Sequence, residues 1–272
     1  MARAPSIQPV KERPTAVAGR FYPAHPAELR RMIESCLSQV KLDNAVAPKA
    51  VIAPHAGYLY SGPIAASAHA RFASARHIIK RIVLIGPSHY VSFGGLAVSS
   101  AHAFATPLGL VPVDTESVRQ ICALPQVTVA DEAHAREHAL EVQLPFLQVV
   151  LGDFSIVPLV VSDARAEAVA EVIDWLWGGV ETRFVISSDL SHYLDYASAR
   201  ELDSSTSRSI ERLCPQDIGE EQACGRAAIC GLLQAARQHG LRARAVDLRN
   251  SGDTAGPRSE VVGYGAFAFE GA

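Results

Sequence analysis

Three histidines of this chain stand at one kind of position. Val51-Ile-Ala-Pro-His55, Arg81-Ile-Val-Leu-Ile-Gly-Pro-Ser-His89 and Arg183-Phe-Val-Ile-Ser-Ser-Asp-Leu-Ser-His192 are each an apolar run that breaks into small and polar residues before a histidine. Imidazole is the commonest metal ligand in proteins and titrates near neutral pH, so three imidazoles brought together could hold a divalent ion or move protons. His55 and His89 are the best ligand candidates, with His192 as a further ligand or a general base, oriented by Asp189 three residues before it. Each has a plainer alternative: a histidine after a strand often caps its loop, and Asp189 could cap the next helix. The threefold recurrence of the position is what favours a shared site.

Rival chemistries find less support. Ser187, Ser188, Asp189 and His192 supply the residue types of a hydrolytic triad, but no Gly-x-Ser-x-Gly turn presents the serine. The phosphate-binding Gly-x-x-x-x-Gly-Lys-Ser/Thr and the dinucleotide-binding Gly-x-Gly-x-x-Gly are also missing. A second acidic and histidine-rich group, Glu137, His138 and Glu141, leads into the helical periodicity of residues 142–151. In a helix His138 and Glu141 would share a face, and that face could be aimed at the crevice. The alternative is a solvated helix start, where acids complement the dipole.

Positioning these histidines together requires strands that end together. Residues 50–53, 82–85, 155–161 and 183–186 read as buried strands, 96–99 and 109–113 as shorter ones, and 243–248 and 261–269 as the last two. Helices are predicted over 26–37, 64–75, 115–124, 164–176 and 225–239, with a charged amphipathic region over 197–213. Alternating strand and helix is the pattern of an α/β fold, and residues 50–85 read as a β-α-β unit with its two strands side by side. In such sheets ligands bind in the crevice outside the carboxyl ends of the strands. The turn-forming Asn250-Ser-Gly-Asp253 loop would add a rim to that crevice.

The 272 residues suffice for a full core, and no linker or repeat divides them, so one domain over 1–272 is expected, with 1–17 an extended N-terminal segment. A formal net charge of −3 offers no basic surface for nucleic acid. No apolar run is long enough to span a bilayer and the start lacks the apolar stretch of a signal peptide, which predicts a cytoplasmic protein without a membrane partner. The five cysteines are scattered and contain no Cys-x-x-Cys, so reduced thiols are expected, with Cys230 a small buried hydrophobe.

Several segments together resemble the Memo family, called component B of the AmmeMemoRadiSam system in bacteria and archaea. They are Ala18-Gly-Arg-Phe-Tyr-Pro23, Pro54-His-Ala-Gly-Tyr-Leu-Tyr-Ser-Gly62, Gly86-Pro-Ser-His89, Glu137-His-Ala-Leu-Glu-Val-Gln-Leu-Pro145, Ser187-Ser-Asp-Leu-Ser-His192, Cys224-Gly-Arg226 and Val261-Val-Gly-Tyr-Gly-Ala-Phe267. The resemblance implies a fold similar to the catalytic subunit of class III extradiol ring-cleaving dioxygenases. That fold is a single-domain α/β/α sandwich whose central sheet, mostly parallel or mixed, carries helices on both sides. In those enzymes two histidines and a glutamate hold Fe(II) while another histidine acts as base. Carried over by motif, the ligands fall on His55 and His89 and the base on His192; Tyr58, Cys224 and Arg226 lie in the matching motifs and become pocket candidates.

Animal members of the family place a cysteine in the loop before the last strand. Here Ser251 is the nearest match, with Asp253 close by, so neither that cysteine nor the dioxygenase glutamate is reproduced. The resemblance also implies Fe(II), copper or zinc as cofactor, or none, and a metal- or redox-linked role beside radical SAM components. The alternative is a non-catalytic binding or adaptor protein that uses the crevice for a small molecule or peptide. Two neutral imidazoles and a serine hydroxyl lack an anionic donor, so weak metal retention and poor ring cleavage are expected.

Overall fold

The computed structural model describes residues 11–42 and 46–271, so the first ten residues of the expected N-terminal segment lie outside the described part. The elements run β1 (Glu12–Arg13), α1 (Pro26–Ser38), β2 (Ala50–Ala53), α2 (Tyr58–His69), β3 (Arg81–Pro87), β4 (Leu96–Val98), β5 (Ala103–Thr106) and β6 (Gly109–Pro112). Then follow α3 (Thr115–Ile121), β7 (Val127–Val129), α4 (Asp131–Ala135), α5 (Gln143–Leu151), β8 (Ser155–Val161), α6 (Ala166–Trp175) and β9 (Thr182–Ser187). The chain closes with β10 (His192–Leu194), α7 (Tyr196–Glu211), α8 (Arg226–Gln238), β11 (Leu241–Asn250) and β12 (Val261–Gly271).

Among the described residues one nine-stranded sheet has the order β10-β12-β2-β9-β3-β8-β4-β7, with β11 paired to β12. Its centre is parallel, since β9 pairs in parallel with β2 and β3, and β3 with β8. On its flanks β12 runs antiparallel to β2 and β4 antiparallel to β8, which makes the sheet mixed. The central strands are buried along nearly all their length, as continuous apolar runs covered on both faces must be. Strands β1, β5 and β6 form a small second sheet in the order β1-β5-β6.

The expected β-α-β unit needs one correction. Its two strands are parallel, but β9 lies between β2 and β3, so they are not neighbours. A strand more than a hundred residues downstream inserts there, which local pattern does not reveal. The consequence favours the site, because the three strands that precede the histidines are adjacent, in the order β2-β9-β3, and end at one edge.

Side chains at successive strand positions point to opposite faces, and the end of β9 shows what lies on each. Ser187 Oγ donates to Ala139 O on the side of α5, whereas Ser188 Oγ accepts from the Gly225 N–H at the start of α8. Helices α1, α2 and α5 pack together as one group, and α6 packs on α8 as another. The result is an α/β sandwich with the histidines at the open edge between its layers. Among the described residues no helix is long and apolar enough to cross a membrane.

Candidate metal centre

Each histidine is delivered by a different element. His55 follows β2 after Pro54, which cannot donate to a ladder and so ends the strand. Its backbone N–H donates to Asp189 Oδ1 at 2.8 Å, and its Nδ1 lies 3.0 Å from Ser187 Oγ. That serine gives its own proton to Ala139 O at 2.6 Å and accepts from Gln143 Nε2 at 2.8 Å. With the serine hydrogen already committed, His55 must donate from Nδ1, which leaves the lone pair on Nε2.

His89, two residues beyond β3, is fixed by an acid. Glu137 Oε2 accepts from its backbone N–H at 2.6 Å and Glu137 Oε1 stands 2.9 Å from its Nδ1. A carboxylate oxygen only accepts, so His89 too carries its proton on Nδ1 and offers Nε2. Gly86 in β3 allows this approach. A Cβ there would sit 3.0 Å from Leu140 Cδ2 and 3.3 Å from Ala139 Cβ, so any side chain would push the 137–140 turn away.

His138 completes the group. Its ring stacks on His89 with centroids 4.6 Å apart and meets His55 edge-on at 5.4 Å. Its Nδ1 is buried with no hydrogen-bond partner. One ring nitrogen from each of His55, His89 and His138 lies within 4.8 Å of the other two. Two nitrogens on one ion, each about 2.1 Å from it, stand at most about 4.2 Å apart, so small side-chain rotations suffice to close the group on a metal. Two freed lone pairs and a buried His138 Nδ1 that makes no hydrogen bond, 3.4 Å from Glu137 Oε1, make a donor set that fits a divalent ion.

The electrostatics agree. Burial first, and then the neighbouring His89, push His55 down to about 3. Burial and then His55 bring His138 down to about 4. Both are therefore neutral near pH 7, the form that ligates. Burial alone would raise the Glu137 carboxyl, yet hydrogen bonds from His89 and from the His89 and Ala139 N–H groups hold it at about 2. A buried negative charge thus stands directly behind His89. Asp189 goes the other way, raised mainly by burial.

The remaining sequence candidates separate. His192 opens β10 at the edge, half-buried, and is not one of the close trio; His138 stands where a third ligand was expected from it. Cys224 Sγ lies 3.3 Å from His55 Nε2 but outside the close trio. Tyr58 packs away from the histidines against Tyr22 and Phe146 and donates to Val142 O. Ser251 Oγ accepts from the Val262 N–H, and Asp253 accepts from Tyr196 OH and the Asn250 N–H, so both serve their own loop. Arg226 donates to Ile218 O and lines an open cleft of about 880 Å³ beside α6 and α8, which no histidine lines.

The shared helix face of His138 and Glu141 is not formed. Helix α4 stops at Ala135 and α5 begins at Gln143, with both residues in the turn between. Pro145 is tolerated in the first turn of α5 but would break a helix running through from 138. Freed from a helix, His138 turns to the pocket while Glu141 points to the N-terminal segment. There it accepts from Arg13 Nη1, from the Ala16 and Val17 N–H groups and from Tyr22 OH. Arg13 also donates to His134 O and Glu137 O, which ties β1 to the segment that carries Glu137 and His138. Nothing in the sequence around Arg13 signals this role.

Glu137→Gln should weaken zinc binding by roughly 10–100-fold, the usual effect of losing a carboxylate behind a ligand histidine. A glutamine amide would turn a donor toward groups that already donate. Competition titration against a chromogenic chelator measures the change, and equal affinities in variant and parent would remove Glu137 from the centre.

Comparison with known proteins places these residues in context. A family model described as "Memo-like protein" matches residues 13–268. A "MEMO1 family protein" of Aquifex aeolicus is 35% identical over 272 residues, covering 96% of this chain and 100% of its own. Another, of Archaeoglobus fulgidus, is 36% identical over 269 residues, covering 93% and 97%. A third, of Nitrosopumilus maritimus, is 32% identical over 277 residues, covering 94% and 99%.

Proposed function

The chain belongs to the Memo-like family, and from that premise we propose that its strand-end pocket is a mononuclear divalent-metal centre, held by His55, His89 and His138 and acting on a small molecule. The observation that carries the reading is the pair of fixed tautomers. Ser187 and Glu137 each hold a proton on Nδ1, so both Nε2 lone pairs are left free, and a ring nitrogen of each histidine lies within 4.8 Å of one on His138. A histidine that merely caps a loop has no need of an ionised acid buried behind it.

A bound Fe(II), copper or zinc ion would polarise a coordinated oxygen, and the first two could also change oxidation state. The chain's own residues do the rest. Glu137 offsets the charge of the ion through His89. Asp189, its carboxyl raised above the usual range by burial, lies with Oδ2 4.0 Å from His55 Nε2, beside the ligand set. His192, half-buried at the start of β10, is the general base in this reading. An oxidoreductase activity and a radical SAM partner, both implied by the motif resemblance alone, belong to the same proposal. The second reading is a crevice that binds without turnover. It is favoured by Tyr90, 48% exposed beneath the Arg136 guanidinium and beside His89 and His138, which offers an aromatic contact to a peptide or ligand.

The test is metal analysis of protein purified without chelator, followed by titration of chelator-treated protein. One equivalent of bound ion is expected, with binding lost in His89→Ala and in His138→Ala. Parent protein that takes up no ion from Fe(II), Cu(II) or Zn(II) would sink this reading and leave the binding crevice.

A further inference from the structure

The glutamine that opens α5 directs its side-chain amide to both sides of His55. Gln143 is fully buried, and its Nε2 lies 2.9 Å from Pro54 O and 2.8 Å from Ser187 Oγ. Pro54 O is the carbonyl just before His55 in the chain, and Ser187 Oγ is the atom that the His55 ring donates to, 3.0 Å from Nδ1. One amide therefore grips the backbone beside a ligand and the partner of its ring. We propose that Gln143 is a positioning residue of the metal centre, a clamp that holds the ends of β2 and β9 at the spacing His55 needs; this rests on the metal-centre reading above.

The amide has only one workable orientation. A carbonyl oxygen only accepts, so the NH2 end must face Pro54 O, and Oε1 is turned to His69 Nε2 at 2.7 Å. His69 therefore donates from Nε2, and its Nδ1, which has no hydrogen-bond partner, keeps the lone pair. That histidine is fixed in turn as the buried last residue of α2, with its ring stacked on Phe146, centroids 5.5 Å apart and planes 13° apart. The direction of donation is settled along the whole line: His69 to Gln143, Gln143 to Ser187, Ser187 to Ala139 O, and His55 to Ser187.

The clamp acts where the sheet no longer does. The ladder between β2 and β9 ends at the pair Ala53 and Ser187, so Pro54 and His55 lie beyond it. Across that gap the two N–H groups of Gln143 join Pro54 O to the Ser187 hydroxyl, from a helix that packs on α2. A side chain needed only to fill this space would be apolar, since a buried amide must find partners for every one of its polar groups.

Gln143→Met keeps the length of the side chain and removes both N–H groups. Zinc affinity is measured by chelator competition. In metal-free protein carrying isotope-labelled histidine, nuclear magnetic resonance reads the proton on His55 Nδ1, a downfield signal protected from exchange with water and assigned by its loss in His55→Ala. In Gln143→Met zinc should bind roughly tenfold more weakly, the lower end of the effect of losing a group behind a ligand histidine, and the His55 proton signal should broaden through exchange. An unchanged zinc affinity, or a His55 signal as sharp as in the parent, would overturn the clamp and leave the histidine centre standing. A lower melting temperature with both readings unchanged would mark a packing role and also overturn it. Parent protein that takes up no zinc would overturn the centre itself, and this role with it. Should Gln143→Met fail to fold, Gln143→Asn replaces it under the same two readings, because its amide is one methylene too short to reach both Pro54 O and Ser187.

Discussion

Acidification from about pH 7.5 to about pH 5 is expected to cost the metal-free protein roughly 4 kcal/mol through two histidines outside the metal centre. His69 and His134 are buried, each with one ring nitrogen unpartnered, and burial brings both down to about 4 from a usual 6.5. The unfolded chain protonates them near pH 6.5, whereas the folded chain resists until near pH 4. Their contribution is therefore fully present above the unfolded value and is lost as pH falls toward the folded one, at roughly 2 kcal/mol each by pH 5. Asp189 and Asp203 act in the opposite sense, because burial raises both and relief on acidification stabilises the fold. Even with that offset the loss is a large share of a typical stability of about 5–15 kcal/mol. Thermal melts at the two pH values measure it, and His69→Gln should roughly halve the difference. Equal melting temperatures for the parent protein would show that these histidines are not held neutral by burial.

Glu141→Ala should be the most damaging change outside the metal ligands. The carboxylate is fully buried and accepts four hydrogen bonds, one from the equally buried Arg13. Removing it leaves a guanidinium without its counter-charge and three donors without an acceptor. Breaking a buried pair in this way costs about 3–5 kcal/mol, or about 10 °C in melting temperature for a domain of this size. Metal affinity should fall as well, because Arg13 holds the carbonyls of His134 and Glu137 on the ligand-bearing segment. Melting curves of parent and variant decide the first point and zinc titration the second. An unchanged melting temperature would mean that the pair contributes nothing net to stability.

Much of this was legible in the residues. The Val, Ile and Leu runs at 82–85, 155–161 and 183–186 mark strands buried on both faces, and the small residues after them mark where each strand lets go of the sheet. His55 and His89 follow from that reasoning. His138 does not, because its direction depends on a turn, and the helical periodicity over 142–151 suggested a helix face for His138 that the start of α5 at Gln143 does not provide. The acid behind His89 and the arginine behind that acid are long-range contacts, 48 and 124 residues apart in sequence. No spacing rule reaches that far. The same holds for β9 between β2 and β3, on which the meeting of the strand ends depends.

The three histidines come from separate stretches of chain, at 55, 89 and 138, and no two are close enough in sequence to chelate an ion in an unfolded chain. An ion held there would cross-link the chain much as a set of disulfides does, but reversibly and only in the folded state. Its contribution would grow with free metal as RT ln(1 + [M]/Kd), reaching roughly 4 kcal/mol at a thousandfold excess over Kd. Metal supply would then govern how long the folded molecule persists as well as what it can do, and a chelator would act on it as a reductant acts on a disulfide-bonded protein.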